Sequence, residues 1–285
     1  MRKVILIFIT LIYTLNSEIL MITDKRELNQ DIIKKIGSFF KNERVVISPS
    51  NYAHEIDFKP FLIFVFEKKF LINFPERFKD IPCILLYIED PLVPLTLNTT
   101  GIFYTIPPSV VFSFLNMIGF KNKEIITIVP EGKSDFSYID EAKRTSYNFN
   151  IILNILETKM GNISGVSEEL KKGDIIWIFP NEITINPIFI KYIIRFSVEE
   201  KKIIIGYSKD LAEQGFVFSI EVEENKYKDK IYNFVKKISE GKNPLAIPIQ
   251  YPDNFNYYYN SKIGKLLGLN VDFSKFYKEI KYIEK

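Results

Sequence analysis

Short runs of β-branched and aromatic residues alternate with amphipathic stretches along almost the whole chain. That alternation confines it to βα units wound around mainly parallel sheets. Ile19–Thr23 reads as a first strand and Leu28–Phe40 as a helix, because Ile32, Ile33, Ile36, Phe39 and Phe40 recur at helical spacing. Val45–Ser48 and Phe61–Phe66 are the next strands. The link between them, Pro49 to Pro60, carries two prolines and little periodicity, which argues against a crossover helix and for an abbreviated first sheet.

Ile84–Ile88 is an uninterrupted apolar run, as in a strand covered on both faces, and it stops at Glu89-Asp90-Pro91. Further strands are expected at Gly101–Tyr104, Glu124–Val129, Ile151–Leu156, Ile175–Phe179 and Lys202–Tyr207. Helical segments near 109–118, 136–148, 163–172 and 185–200 separate them, so these five strands form a second α/β lobe. Lys226–Glu240 is a helix with Tyr227, Ile231, Phe234, Val235 and Ile238 on one stripe, and Gly241 and Pro244 end it. Tyr257–Tyr259 reads as an edge strand with Tyr258 facing away from its neighbours. The tail after Asp272, with Phe276, Tyr277, Ile280 and Ile283, is expected to be a short helix packed on the body.

At 285 residues the chain exceeds one average domain. The expected organisation is a signal segment over 1–17, an N-terminal lobe over 18–98 completed by part of 220–250, a second lobe over 99–219 completed by part of 251–272, and a tail helix over 273–285. The signal reading rests on basic Arg2 and Lys3, apolar Val4 to Leu15, and small Ser17 before Glu18, and it implies a periplasmic or extracytoplasmic location. Cleavage after Ser17 would remove two of the 38 basic side chains and none of the 35 acidic ones, leaving a nearly neutral body.

Lysines and acids are interleaved throughout, and only six residues are arginine. With no basic stripe and so few bidentate donors, the sequence argues against a nucleic-acid partner. Cys83 is the single cysteine, which excludes an intramolecular disulfide. His54 is the single histidine and falls in a polar stretch, which excludes multi-histidine metal sites and disfavours Ser-His or Cys-His catalysis. There is no Gly-rich phosphate loop and no Gly-x-Ser-x-Gly elbow. The reading is therefore not an enzyme, with no catalytic residues, metal or cofactor.

Several short patterns occur in one order: Ile81-Pro82 before an apolar strand, Asp90-Pro91, then Asn98-Thr99-Thr100-Gly101; Gly173-Asp174-Ile175-Ile176-Trp177-Ile178-Phe179-Pro180-Asn181; Ile203-Ile204-Ile205-Gly206-Tyr207-Ser208 with Glu213-Gln214-Gly215-Phe216; Gly241 to Ile249 with Pro244 and Pro248; and Tyr259-Asn260-Ser261-Lys262 with Gly264 to Leu269. Over about residues 81–271 the chain resembles the ABC-transporter substrate-binding proteins of the tryptophan/tyrosine type, which have the type 1 periplasmic-binding fold. That resemblance implies two doubly wound, mainly parallel α/β lobes joined by a hinge. It implies an exported protein that captures a small, amino-acid-like ligand between the lobes and delivers it to an ABC permease, acting as a monomer. Three departures stand out: Phe66-Glu67-Lys68-Lys69 where the family has a Thr- or Ser-bearing loop, Pro180-Asn181 where it has Pro-Asp, and Gly264 where alanine is customary. The first two, together with the abbreviated first lobe, support an alternative, a non-transporting relative acting as a sensory or protein-interaction module; the third is a minor change.

In such a fold the ligand lies between facing carboxyl-end loops. Candidates there are Glu67, Glu89 and Asp90 from the first lobe, and Tyr104, Asn181, Tyr207 and Ser208 from the second. A carboxylate can hold a ligand ammonium, amide and hydroxyl groups supply neutral donors and acceptors, and tyrosine rings supply stacking surface. Other roles suit the same residues: Asp90 before Pro91 as a turn cap, Tyr104 as a core ring, and Glu67 with Lys68 and Lys69 as the start of a solvated helix.

Overall fold

Strand β1 (Glu18–Ile22) is buried at its four apolar positions, so it requires cover on both faces and lies inside a sheet. It pairs in parallel with β2 (Arg44–Ser48) and β3 (Leu62–Val65), with Ile19 level with Val45 and Leu62. Parallel β4 (Cys83–Leu86) and β5 (Thr99–Ile102) extend it to five strands in the order β2-β1-β3-β4-β5. The computed structural model describes residues 18–24, 30–159, 161–162, 164–276 and 278–284; the expected signal segment over 1–17, the start of the Leu28–Phe40 helix and the His54 side chain lie outside the described residues.

Alternate strand residues feed two cores, as the pleat requires. Ile19 and Met21 join Ile32, Ile33 and Ile36 of α1 (Gln30–Gly37) on one face. On the other, Leu20, Ile22, Ile63, Val65 and Cys83 meet Phe70 and Leu71 of α2 (Lys68–Ile72), together with Phe78, Ile88 and Val93. No helix joins β4 to β5; the chain over 87–98 runs without one.

The expectation of an abbreviated first sheet is corrected here. The strand read at Gly101–Tyr104 and given to the second lobe is β5, which closes the first sheet, so the division expected at 98/99 falls after Ile102. Thr99 and Thr100 pair with Cys83 and Ile84, and Gly101 sits at φ +139°, where an added Cβ would stand 2.2 Å from the Leu85 carbonyl oxygen. Only glycine allows that approach.

The second sheet holds β6 (Glu124–Pro130), β7 (Ile152–Thr158), β8 (Ile175–Trp177), β9 (Ile203–Gly206), β10 (Phe218–Val222), β11 (Phe255–Asn260) and β12 (Ile280–Ile283), in the order β12-β11-β10-β9-β8-β6-β7. Its β7-β6-β8-β9-β10 portion repeats the winding of the first sheet. Around it pack α3 (Pro108–Met117), α4 (Ser137–Asn148), α5 (Ser167–Lys172), α6 (Pro187–Glu199) and α7 (Lys209–Gln214). The sole tryptophan, Trp177, is buried against Phe112, Tyr138 and Phe179.

Helix α8 (Glu224–Ser239) buries the stripe Tyr227, Ile231, Phe234, Val235 and Ile238 that its spacing predicts, and it packs against α1 of the first lobe. The chain thus crosses between lobes after β5, after β10 and again after Gln250. The outer two crossings hold each other: Gln250 N–H donates to Gly101 O (2.9 Å) and Phe103 N–H to Gln250 O (3.0 Å).

Two expectations about the end of the chain change. The tail forms strand β12 rather than a helix, because Ile280, Lys281, Tyr282 and Ile283 pair in parallel with Tyr257 to Asn260. That pairing covers β11, which is therefore not an edge strand. Tyr257 and Tyr259 face one core while Tyr258 faces Ala212 and Ile283 on the other side. Helix α9 (Ser261–Leu266) explains the unusual Gly264: a Cβ there would lie 2.0 Å from the Tyr259 hydroxyl. No helix among the described residues is long and apolar enough to cross a membrane.

Candidate functional site

Where the two lobes face each other, a cavity of about 130 Å³ is lined by Glu89 after β4, Tyr104, Thr105 and Ile106 in the crossing after β5, Pro180 after β8, Tyr207 and Ser208 after β9, and Glu221 and Val222 at the end of β10. The place follows from the winding: carboxyl ends of parallel strands converge here from both lobes. Each tip is fixed locally. Gly206 ends β9 in close packing with Phe216 and Leu211, which brings Tyr207 and Ser208 to the rim. Ser208 then caps α7, its Oγ accepting from Leu211 N–H (3.3 Å).

Glu221 ties the floor together. One carboxylate oxygen accepts from Lys209 N–H (3.0 Å), the other from the Tyr258 hydroxyl (3.0 Å). Glu89 is exposed and makes no hydrogen bond or ion pair with a described residue. Burial first, and then the Glu89 carboxylate, push the Tyr207 phenol up to about 12. Tyr104 is pushed well above the ordinary phenol range by burial first and then by Glu224, Glu221 and Glu89. Both phenols therefore stay neutral donors at physiological pH.

Behind the cavity lies a cluster of three tyrosines. Tyr104 stacks on Tyr87 (centroids 5.2 Å apart, 25°) and meets Tyr227 edge-on (4.8 Å, 66°). The buried Tyr227 hydroxyl donates to Ile102 O (2.8 Å) and accepts from Tyr87 N–H (2.9 Å), which holds Tyr87 at φ +60°. The Tyr87 hydroxyl donates to Glu224 (2.8 Å), the residue that opens α8. These bonds lock two of the interlobe crossings to the end of β4.

Thr105 is 2% exposed, and its Oγ1 has no hydrogen-bond partner among the described residues. It stands beside the Tyr138 hydroxyl, whose own proton goes to Ile106 O (2.7 Å).

Of the seven residues singled out from sequence, the structure brings Glu89, Tyr104, Tyr207 and Ser208 to this one cavity. The other three are engaged elsewhere. Asn181 is 1% exposed and its amide is spent on its own loop: Nδ2 donates to Ile128 O (3.0 Å) and Phe179 O (3.4 Å), while Oδ1 accepts from Ile183 N–H (3.0 Å) and Thr184 N–H (3.2 Å). Asp90 pairs with Lys68 and accepts from Leu92 N–H (2.9 Å), so it shapes the turn before Pro91. Glu67 accepts from Asp24 N–H (3.2 Å), and Asp24 in turn accepts from Ser50 N–H and Oγ.

Sequence reasoning did not single out Thr105, Ile106, Pro180, Glu221 or Val222. For Glu221 a signal was available: it is the lone charged residue in the strand Phe218-Ser219-Ile220-Glu221-Val222. Among the described residues no group of three His, Cys, Asp or Glu side chains could hold a metal ion.

No protein-family model matches the chain, and no curated protein is significantly similar to it in sequence. Solved structures do match along nearly its whole length. A conserved domain protein from Vibrio cholerae superposes with a TM-score of 0.64 at 15% identity, covering 91% of this chain and 97% of that one. An ABC domain in complex with L-Trp from Streptococcus pneumoniae gives 0.61 at 16% identity, covering 93% and 99%. The ligand-free, open structure of a substrate-binding protein with adhesive properties from Clostridium difficile gives 0.61 at 17%, covering 94% and 99%. At these identities the likeness defines architecture: two mainly parallel α/β lobes of the periplasmic-binding-protein fold type.

Proposed function

We propose that this protein is an exported solute-binding protein that closes its two lobes on a small, amine-bearing, amino-acid-like solute and passes it to an ABC permease as a monomer. The observation that carries the reading is the interlobe cavity, lined from the strand tips of both lobes by Glu89, Tyr104, Tyr207, Ser208 and Glu221. A solute there gains its full set of contacts only when the lobes are together, and that differential affinity drives closure. The L-Trp held by the Streptococcus pneumoniae ABC domain supports a small ligand of this kind for the shared architecture. No catalytic step is assigned.

The test is a thermal-shift and calorimetric screen of the full chain against amino acids, small amines, purines and short peptides. A Tm rise of several degrees for one chemical class is expected. A natively folded protein that no solute stabilises at millimolar concentration would overturn the reading. That outcome would favour the second one, a non-transporting sensory or interaction module, which the Tyr87, Tyr104 and Tyr227 rings packed beside the cavity support.

A further inference from the structure

The cavity's charge is one-sided. Two carboxylates, Glu89 and Glu221, line it, and no lysine or arginine is among its described lining residues. Cations attached to neighbouring positions are committed to acids of their own: Lys209 to Glu213 (3.1 Å), Lys228 to Glu224 (3.2 Å) and Lys68 to Asp90. An amino acid brings a carboxylate as well as an ammonium. In this cavity the carboxylate would enter beside two like charges with no described cation to receive it, a repulsion that grows as the closing lobes exclude water.

The neutral groups point the same way. Thr105 lines the cavity, and its buried Oγ1, beside the Tyr138 hydroxyl but with no hydrogen bond of ordinary length to a described residue, keeps an acceptor position for an ammonium. Glu89 is unpaired among the described residues. The rings of Tyr104 and Tyr207 present aromatic surface to the apolar part of a guest or to its cationic head.

We infer that the ligand is a small organic monocation, an aryl- or alkylamine without a carboxylate, whose ammonium is received by Glu89, Glu221 and Thr105. The inference rests on the solute-binding reading above, keeps its amine-bearing ligand and departs from it in removing the amino-acid carboxylate.

The experiment is isothermal titration calorimetry of the full chain with matched pairs at physiological ionic strength: tyramine against L-tyrosine, and phenethylamine against L-phenylalanine. Each amine is expected to bind at least tenfold tighter than its amino acid, and Glu89→Gln to weaken the amine at least tenfold while leaving Tm unchanged. An amino acid that binds as tightly as its amine, or an amine whose affinity ignores Glu89→Gln, overturns the monocation inference and leaves the solute-binding reading standing. If neither member of any pair binds, and the broader screen also finds no solute, both fall together.

Discussion

Asn181 offers the sharpest test of how the second-lobe tips are built. The substitution Asn181→Asp keeps the size of the side chain and the oxygen that accepts from Ile183 and Thr184. It replaces the donor that serves Ile128 O and Phe179 O with an oxygen facing two carbonyls, at a position 1% exposed. Two lost hydrogen bonds cost about 1 kcal/mol each, and a buried carboxylate without a cation adds more, so the variant is expected to lose about 3–5 kcal/mol at pH 7. That is a large part of the total stability of an ordinary domain. The sign of the pH dependence follows from the same geometry. Burial beside carbonyls raises the folded-state pKa of the new carboxyl above its unfolded value of about 3.9, so the deficit is least below about pH 4 and grows as pH rises. Urea unfolding, followed by Trp177 fluorescence at pH 4.5 and pH 7, reads both effects in the lobe concerned. A variant within about 0.5 kcal/mol of the parent at both pH values would refute the loop-locking role.

Three further outcomes follow from the packing. Gly101→Ala would drive a Cβ to 2.2 Å from the Leu85 carbonyl at φ +139°, so it is expected to cost at least about 3 kcal/mol or prevent folding; an unchanged Tm would contradict the close β4–β5 approach. Tyr227→Phe leaves Tyr87 N–H and Ile102 O without their shared hydroxyl, at about 1–3 kcal/mol, and should speed amide exchange at Tyr87; equal exchange would remove the tyrosine lock from the account. Alkaline pH should destabilise the fold, because burial pushes the Cys83 thiol up to about 12, and the Tyr207 phenol reaches about 12 by burial and Glu89. Raised folded-state values give stability that is complete below about pH 9 and is lost as pH climbs toward 12. A denaturation midpoint that stays flat from pH 8 to 11 would contradict this.

Much of the architecture could be read from local pattern alone. The apolar runs at Ile84 and Ile203 mark strands covered on both faces, and the α8 stripe marks a helix with one buried side. Polar residues where such runs stop, Glu89 and Tyr207-Ser208, mark strand tips, and four of the seven tip residues so chosen line the interlobe cavity. These features are legible because burial on a strand or helix leaves a period in the sequence.

Pairing across the fold leaves no such period. Whether Thr99–Ile102 closes the first sheet or opens the second depends on partners at Cys83 and on Thr100 Oγ1 bonding Ile247 O, 147 residues away. Whether Asn181 faces a guest or its own loop depends on Ile128 O, 53 residues back, and whether the tail is helix or strand depends on a free edge at β11. The sequence by itself determined which residues need burial and which end at strand tips, because those demands are properties of neighbours along the chain. Only the tertiary structure decided which tips turn outward to the cavity and which are consumed by internal bonds, because a hydrogen bond is a matter of distance and direction between groups that the chain order does not bring together.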